Sequence, residues 1–287
     1  MKIKKRTKRL LIAFLSVVLL LIYSSLETRW VKTTYITIES YDIPKAFDGK
    51  RIVLVSDIHH GSALSLERVH KMVQRINDLK PDIIVLGGDY VSNEKKYIKP
   101  VFDELMLLRS NYGIFGVIGN HDYFVDGDLT LKMMKRNKIN VCENKSYWIK
   151  IKSDSIKIGG VIDPDGDYDA NIDSTIHDVK MKDFCILITH RPDYIKTMKT
   201  DLVDLTLSGH THGGQVTFFG LWAPILPYEN GLWAELATSL ESQRYRYGLI
   251  HPKPTMQSYI TSGIGTRAPH FRFFCRPEIA VLELKRK

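Results

Sequence analysis

A chain of 287 residues with 44% hydrophobic content is long enough to bury one large core, which excludes a disordered or low-complexity protein. Its net charge of +9 would point to a polyanion-binding surface if it were spread over one face. Six of those charges are Lys2, Lys4, Lys5, Arg6, Lys8 and Arg9, so the rest of the chain carries only +3 and gives no ground for nucleic-acid binding.

The basic tail (residues 1–9) runs into an apolar segment over 10–26, interrupted between Leu10 and Tyr23 only by Ser16. At ~1.5 Å per residue this segment spans roughly 25 Å, short of the ~30 Å hydrocarbon core unless Lys8, Arg9 and Trp30 anchor its ends. No small-x-small cleavage site follows Tyr23, so an uncleaved transmembrane anchor is preferred to a cleaved signal peptide. The basic flank then stays cytoplasmic, and the globular part lies on the outer face of a membrane crossed once. Residues 27–45 read as a connector, within which Thr33 to Glu39 alternates like an edge strand, and 46–287 as one domain. Cys142, Cys185 and Cys275 are too few and too far apart for a disulfide framework or a Cys-rich zinc site, and read as buried or incidental.

Arg51 to Val55 is a short β-branched apolar run without helical spacing, the pattern of a strand buried on both faces. Leu64 to Leu79 follows with Leu66, Val69, Met72, Val73 and Ile76 at helical spacing and Ser65 as N-cap. Next come a strand over Asp82 to Gly88, a helix over Tyr97 to Arg109 and a strand over Gly113 to Gly119. Later strands are expected at Trp148–Ile151, Ile156–Ile162, Phe184–Thr189, Leu205–Ser208, Gln257–Thr261 and Ile279–Leu284. The β-α-β-α-β first half and β-rich second half predict an α/β fold, with mixed sheets in a sandwich flanked by helices.

Polar residues begin where these strands end. Asp57 and His59 follow the first, and if the backbone stays extended there, residues two apart point the same way and grip one cation. Asp89 follows Gly87-Gly88, Asn120 and His121 follow Gly119, His190 follows Thr189, and His210 and His212 follow Gly209. Open sheets place ligands at the carboxyl ends of strands. A thiolate-free mixture of carboxylate, amide oxygen and imidazole suits manganese, iron or zinc, and there are more ligands than one ion can use. Two divalent metal ions are therefore expected, with manganese favoured and a carboxylate shared between them.

These residues, in order, resemble all five motifs of the calcineurin-like metallophosphoesterases, over about Lys50 to Leu284. The resemblance implies that Asp57, His59 and His212 bind one metal, that Asn120, His190 and His210 bind the other, and that Asp89 bridges. It implies that His121 faces the substrate and assists the leaving oxygen. A second Asp, which in that family often orients this histidine, is absent after Asp89-Tyr90-Val91-Ser92, leaving Asp122 or a backbone carbonyl for the task. The apolar amino terminus, Gly88-Asp89-Tyr90-Val91, Thr189-His190-Arg191-Pro192-Asp193 and Cys275-Arg276-Pro277-Glu278 are similar to a membrane-associated branch that includes UDP-2,3-diacylglucosamine pyrophosphatases. The implied activity is hydrolysis of a phosphodiester or pyrophosphate by a metal-activated hydroxide, with a nucleotide-linked lipid as one substrate class. A broad cell-envelope phosphatase is the alternative within this chemistry, and a metal-binding interaction protein without catalysis the alternative outside it.

Three other stretches are weaker. Asp163 to Asp169 has glycine at the fourth rather than the sixth position of a calcium loop and Ser174 where the closing Glu belongs, so it reads as an exposed acidic turn. Leu221, Trp222, Ile225, Leu226 and Trp233 read mainly as buried core, with a loop that holds acyl chains as the other reading. Of Arg244, Arg246, Arg267, Arg272 and Arg276, most are expected to be solvated or paired and one or two to clamp a phosphate. No single residue is assigned to substrate binding from sequence.

Overall fold

Lys5–Glu27 is one 23-residue helix, α1, long and apolar enough to cross a membrane. Its length of about 35 Å exceeds the bare apolar segment because the polar flanks join the helix. Along it only Ser24 and Glu27 are buried, while Leu10, Phe14, Leu19 and Leu21 face outward. The computed structural model describes residues 5–164, 166, 169–227, 234–236 and 240–287; Asp165, Asp167 and Trp233 lie outside them.

Chain order continues with β1 (Lys32–Ser40), β2 (Arg51–Val55), α2 (Leu66–Asp78), β3 (Ile83–Leu86), α3 (Ile98–Leu105), β4 (Ile114–Gly116), α4 (Asn120–Arg136) and β5 (Asn140–Val141). The second half holds β6 (Lys145–Ile151), β7 (Asp154–Gly160), α5 (Asp173–Ile176), β8 (Cys185–Ile188), α6 (Asp193–Thr197) and β9 (Leu205–Ser208). The hairpin pair β10 (Ile225–Pro227) and β11 (Ala234–Leu236) precedes α7 (Leu240–Arg244), β12 (Gly248–Lys253), β13 (Met256–Ile260) and β14 (Glu278–Arg286). Each strand expected from sequence is present, and α3 ends four residues before Arg109. The long helix α4 and strand β12 were not anticipated.

One six-stranded sheet has the order β1-β14-β2-β3-β4-β5, and the other β12-β13-β9-β8-β7-β6. Both are mixed: β14 meets β2 antiparallel while β2, β3 and β4 run parallel, and β8 pairs parallel with β7 and β9. The edge strand expected at Thr33 to Glu39 is β1, parallel to β14. The continuous apolar runs are explained by burial on both faces. Ile52 and Leu54 point into the core between the sheets, against Ile186, Ile188 and Leu207. Val53 and Val55 point the other way, into a core with Val69, Val73 and Ile76 of α2 and Phe102 of α3. Behind the second sheet, Leu187 and Ile260 pack with Ile195 of α6. The result is a helix-sheet-sheet-helix sandwich, and the three cysteines are free and buried in it.

Asp204, just before β9, accepts a 2.8 Å hydrogen bond from the Cys185 backbone N–H, and burial pushes its carboxyl up to about 7. The folded pKa stands above the ordinary value of 3.8, so the fold favours the protonated acid. Asp204 thus contributes stability that is complete at acid pH and fades as pH rises from about 4 to about 7. Asp204→Asn keeps an acceptor without the charge and is expected to raise Tm at pH 8 but not at pH 4. Equal Tm differences at both pH values would contradict the assignment.

Candidate metal centre

The carboxyl ends of β2, β3, β4, β8 and β9 meet at one point between the sheets, and the polar residues that follow them converge there. The His59 and His212 Nε2 atoms are 3.1 Å apart, and Asp57 Oδ1 is 3.6 Å from His212 Nε2. On the other side Asn120 Oδ1 lies 3.1 Å from both His190 Nε2 and His210 Nδ1. Between the two groups, Asp89 Oδ2 is 3.3 Å from His59 Nε2 and 3.4 Å from His190 Nε2. Asp57, His59, Asp89, Asn120, His190, His210 and His212 are all buried.

The backbone route to this convergence differs from the extended one expected. Asp57, His59, Asp89, His210 and His212 have φ of 54°, 49°, 56°, 67° and 50°, all in the left-handed region. Such residues cost of order 1–3 kcal/mol each and persist where their surroundings over-determine them. Here the surroundings are backbone hydrogen bonds: Asp57 N–H donates to Gly88 O, His59 N–H to Asp89 O, and Gly265 N–H to Asp57 O. Asp57 also receives the His210 N–H on both carboxylate oxygens at 3.0 Å. Each strand end is thus bent by its neighbour, and side chains point inward that an extended strand would splay.

The donor set fits divalent cations. Asp89 Oδ1 accepts from His121 N–H at 2.9 Å, but the buried Oδ2 has no hydrogen-bond donor among the described residues. An unsatisfied buried acceptor of this kind costs ~1–3 kcal/mol, and here it faces the Nε2 atoms of His59 and His190. His190 donates from Nδ1 to Gly87 O at 2.7 Å, which leaves Nε2, the atom that holds either a proton or a metal, directed at Asn120 Oδ1 and Asp89 Oδ2. Burial lowers the His190 pKa, but the Asp89, Asp57 and Asp163 carboxylates outweigh it and raise it to about 10. The buried carboxylates therefore draw positive charge into the cluster. Asp57, His59 and His212, and separately Asp57, Asp89 and His190, each bring ligand atoms within 4.8 Å of one another.

Glycine is required where backbone meets carboxylate. A Cβ on Gly119 would stand 2.2 Å from Asp89 Oδ1, although its φ of −101° suits any residue. Gly119→Ala is therefore expected to displace the Asp89 carboxylate and to lower bound metal and activity by at least about tenfold. Metal analysis of the folded variant checks this, and full occupancy would contradict it.

His121 sits at the rim, with its ring edge-on to His59 at 4.7 Å between centroids. Its Nδ1 donates to Ser92 O at 2.7 Å, so the backbone carbonyl orients the ring. Asp122 does not. It is buried and receives the N–H groups of Tyr90, Val91 and Gly119, which cap α4 and hold the turn after Asp89. Burial lowers the His121 pKa and the Asp89 charge opposes it. His121 also lies within 4.8 Å of ligand atoms on His59 and Asp89.

Other readings need correction. Asp163 is buried and pairs with Arg191 at 3.0 Å, so the residue that opens the acidic turn is an internal counter-ion. Leu221, Trp222 and Ile225 are 81%, 45% and 50% exposed rather than core, while Leu226 is buried. Arg246 and Arg272 donate to backbone carbonyls, and Arg272, fully buried, ties His212 O, Ser262 O and Gly265 O together behind the cluster. Sequence reasoning missed this role for Arg272 because a guanidinium held mainly by backbone carbonyls leaves no pattern of charge pairs.

The pattern that defines the calcineurin-like phosphoesterases matches residues 50–214, from β2 through the His210 and His212 turn. The chain belongs to this family. As a calcineurin-like phosphoesterase it is a phosphoric ester hydrolase, and the family uses divalent metals. It is 32% identical to a metallophosphoesterase of Aquifex aeolicus (strain VF5), over 94% of this chain and 98% of that one. It is 32% identical to the Bacillus subtilis (strain 168) metallophosphoesterase YkuE, over 91% and 87%. A Danio rerio transmembrane protein with metallophosphoesterase domain is 24% identical, over 85% of this chain and 55% of its own length.

Proposed function

We propose that this phosphoesterase is a membrane-anchored binuclear hydrolase of a phosphodiester or pyrophosphate. The Asp89 carboxylate carries the reading, since one oxygen is fixed by a backbone N–H and the other is directed between His59 and His190. In this reading Asp57, His59 and His212 hold one divalent cation, Asn120, His190 and His210 hold the other, and Asp89 serves both. Their nitrogen and oxygen donors suit manganese, iron or zinc, manganese foremost. When bound, two such cations supply charge against the phosphoryl oxygens and acidify the attacking water. His121, held through Nδ1 on Ser92 O, offers Nε2 as the group that donates a hydrogen bond or proton to the leaving oxygen.

Arg267 is the side chain we assign to the phosphate. It is half-buried, its backbone is fastened by Gln215, and its guanidinium has no hydrogen-bond partner among the described residues. Burial lowers the pKa values of His121, His210 and His212, and the positive charge of Arg267 reaches all three and adds to it. Residues 1–9 then form a cytoplasmic tail, 10–26 the membrane-crossing part of α1, and the catalytic domain lies on the outer face. A lipid-linked substrate is favoured by the exposed Phe218, Phe219, Leu221 and Trp222, which follow the His212 turn.

The test uses the full chain in detergent with manganese, assayed on a nucleotide-lipid pyrophosphate, a soluble phosphodiester and a phosphomonoester. Hydrolysis of the first two, abolished by chelator, is expected, with R267A raising KM about tenfold while kcat changes little. A phosphomonoester turned over fastest would overturn the substrate assignment.

A further inference from the structure

Where α1 ends, the chain borders a cavity of about 780 Å³, within the ~300–1,000 Å³ range of small-molecule sites. None of its lining residues belongs to the metal cluster. Five basic side chains, Arg29, Arg68, Lys71, Arg75 and Arg276, line it against a single carboxylate, Glu67. That carboxylate is outward and paired with Lys71.

The arginines are held in place without being neutralised. Arg68 donates to Thr28 O, Arg75 to Val31 O at 2.7 Å, and Arg276 to Trp30 O at 2.8 Å. Backbone carbonyls carry no net charge, so three guanidiniums keep their full charge around the segment that leaves the helix. The N-terminus of α2 opens onto the same space, and its N-cap Ser65 makes no side-chain cap bond. The floor is apolar, formed by Met72, Ile264 and Ile279.

The level of this cavity is set by its neighbours. Trp30 lines it, and its ring meets Tyr23 of α1, which packs in turn on Phe273 and Phe274. Phe219, 63% exposed, continues the aromatic cluster through Phe274. Aromatic side chains of this kind gather at the headgroup level of a bilayer. The domain is also fastened to the helix foot, with Arg272 N–H on Ser24 O and Phe274 N–H on the Glu27 carboxylate. A bilayer around α1 therefore brings its headgroups to the mouth of the cavity.

We propose that this cavity binds the phosphate of an anionic phospholipid headgroup in the leaflet where α1 ends. The guanidiniums and the α2 N-terminus take the phosphate oxygens, and the apolar floor takes the first carbons of the lipid. The floor is what separates a lipid from free phosphate. Ile264 N–H donates to Ser56 O beside Asp57, so an occupied cavity braces the strand end that enters the metal cluster. The inference rests on α1 lying in a bilayer and not on the identity of the reaction catalysed.

The full chain, purified in neutral detergent, is offered phosphatidylglycerol and phosphatidylcholine of identical acyl chains, and retained lipid is counted by native mass spectrometry. One phosphatidylglycerol should be retained at least about tenfold better than phosphatidylcholine. Arg68→Gln with Arg75→Gln should abolish the preference, whereas Lys150→Gln with Lys152→Gln, exposed near the end of β6 and in the turn after it, should not. Should the first pair fail to fold, Arg29→Gln with Lys71→Gln removes two exposed charges that make no backbone bond and should also lower retention. Equal retention of the two lipids, or displacement of phosphatidylglycerol by millimolar inorganic phosphate, overturns the proposal. Release of the chain from vesicles on alkaline washing overturns the membrane reading of α1, and the proposal with it.

Discussion

Replacing Asp89 with asparagine is expected to leave a folded protein that holds at most one metal per chain and retains about 1% or less of its activity. The variant is nearly isosteric, and its amide oxygen still accepts the His121 N–H that Asp89 Oδ1 receives at 2.9 Å. The turn after β3 therefore keeps its shape. What changes is Oδ2, the buried atom with no donor among the described residues, 3.3 Å and 3.4 Å from the two imidazoles of opposite groups. Placing a neutral amide there removes the charge that lies between His59 and His190, one from each half of the cluster. Loss of groups that merely orient a metal ligand costs ~10–100-fold, so loss of a shared ligand should cost at least the upper end. Elemental analysis and turnover on the same sample decide the matter. Two tightly held metals in the variant would show that Asp89 does not bridge.

The convergence of these side chains was legible in the sequence because they fall where apolar runs stop, and strand ends in an α/β sheet leave few places to converge. The backbone that delivers them was not. Aspartate and histidine at positive φ look no different in sequence from the same residues in extended chain, since the bend is imposed by the neighbouring strand end. A backbone carbonyl was one of the two groups the sequence left to orient His121, but which carbonyl was hidden, because any residue at position 92 would present one. Helix α4 escaped for a local reason. It opens on the polar residues Asn120, His121 and Asp122, which lie at the cluster, and breaks at Asp126, whose φ of −176° and ψ of 89° are not helical. Its buried apolar residues, Met133 and Met134, come only after that break, and before it just the half-buried Tyr123 and Val125 pack on the same core. The surroundings of the α1 end show the complementary limit. Composition placed an apolar helix at 10–26, but that Trp30, Arg68, Arg75 and Arg276 gather at its foot follows from tertiary contacts across some 250 residues of chain.

His121→Ala is the second large expected effect, and it separates two roles that the geometry brings close together. His121 has a ligand atom within 4.8 Å of His59 and Asp89, the distance at which a metal ligand would stand. Yet its ring meets His59 edge-on at the rim, and Nδ1 is committed to Ser92 O, so only Nε2 is left to act. If that nitrogen serves the leaving oxygen, the alanine variant keeps its fold and both metals, and kcat falls by roughly 10²–10⁴. The loss should shrink for a nitrophenyl ester, whose leaving group is a weak base and departs without a proton. Ser92 supplies only its carbonyl to the ring, and its hydroxyl donates to His59 O, so Ser92→Ala should leave the rate within a few-fold of normal. Loss of a metal in His121→Ala would make it a ligand. Equal slowing of good and poor leaving groups, with both metals kept, would make it a positioning residue and leave the leaving oxygen to another donor.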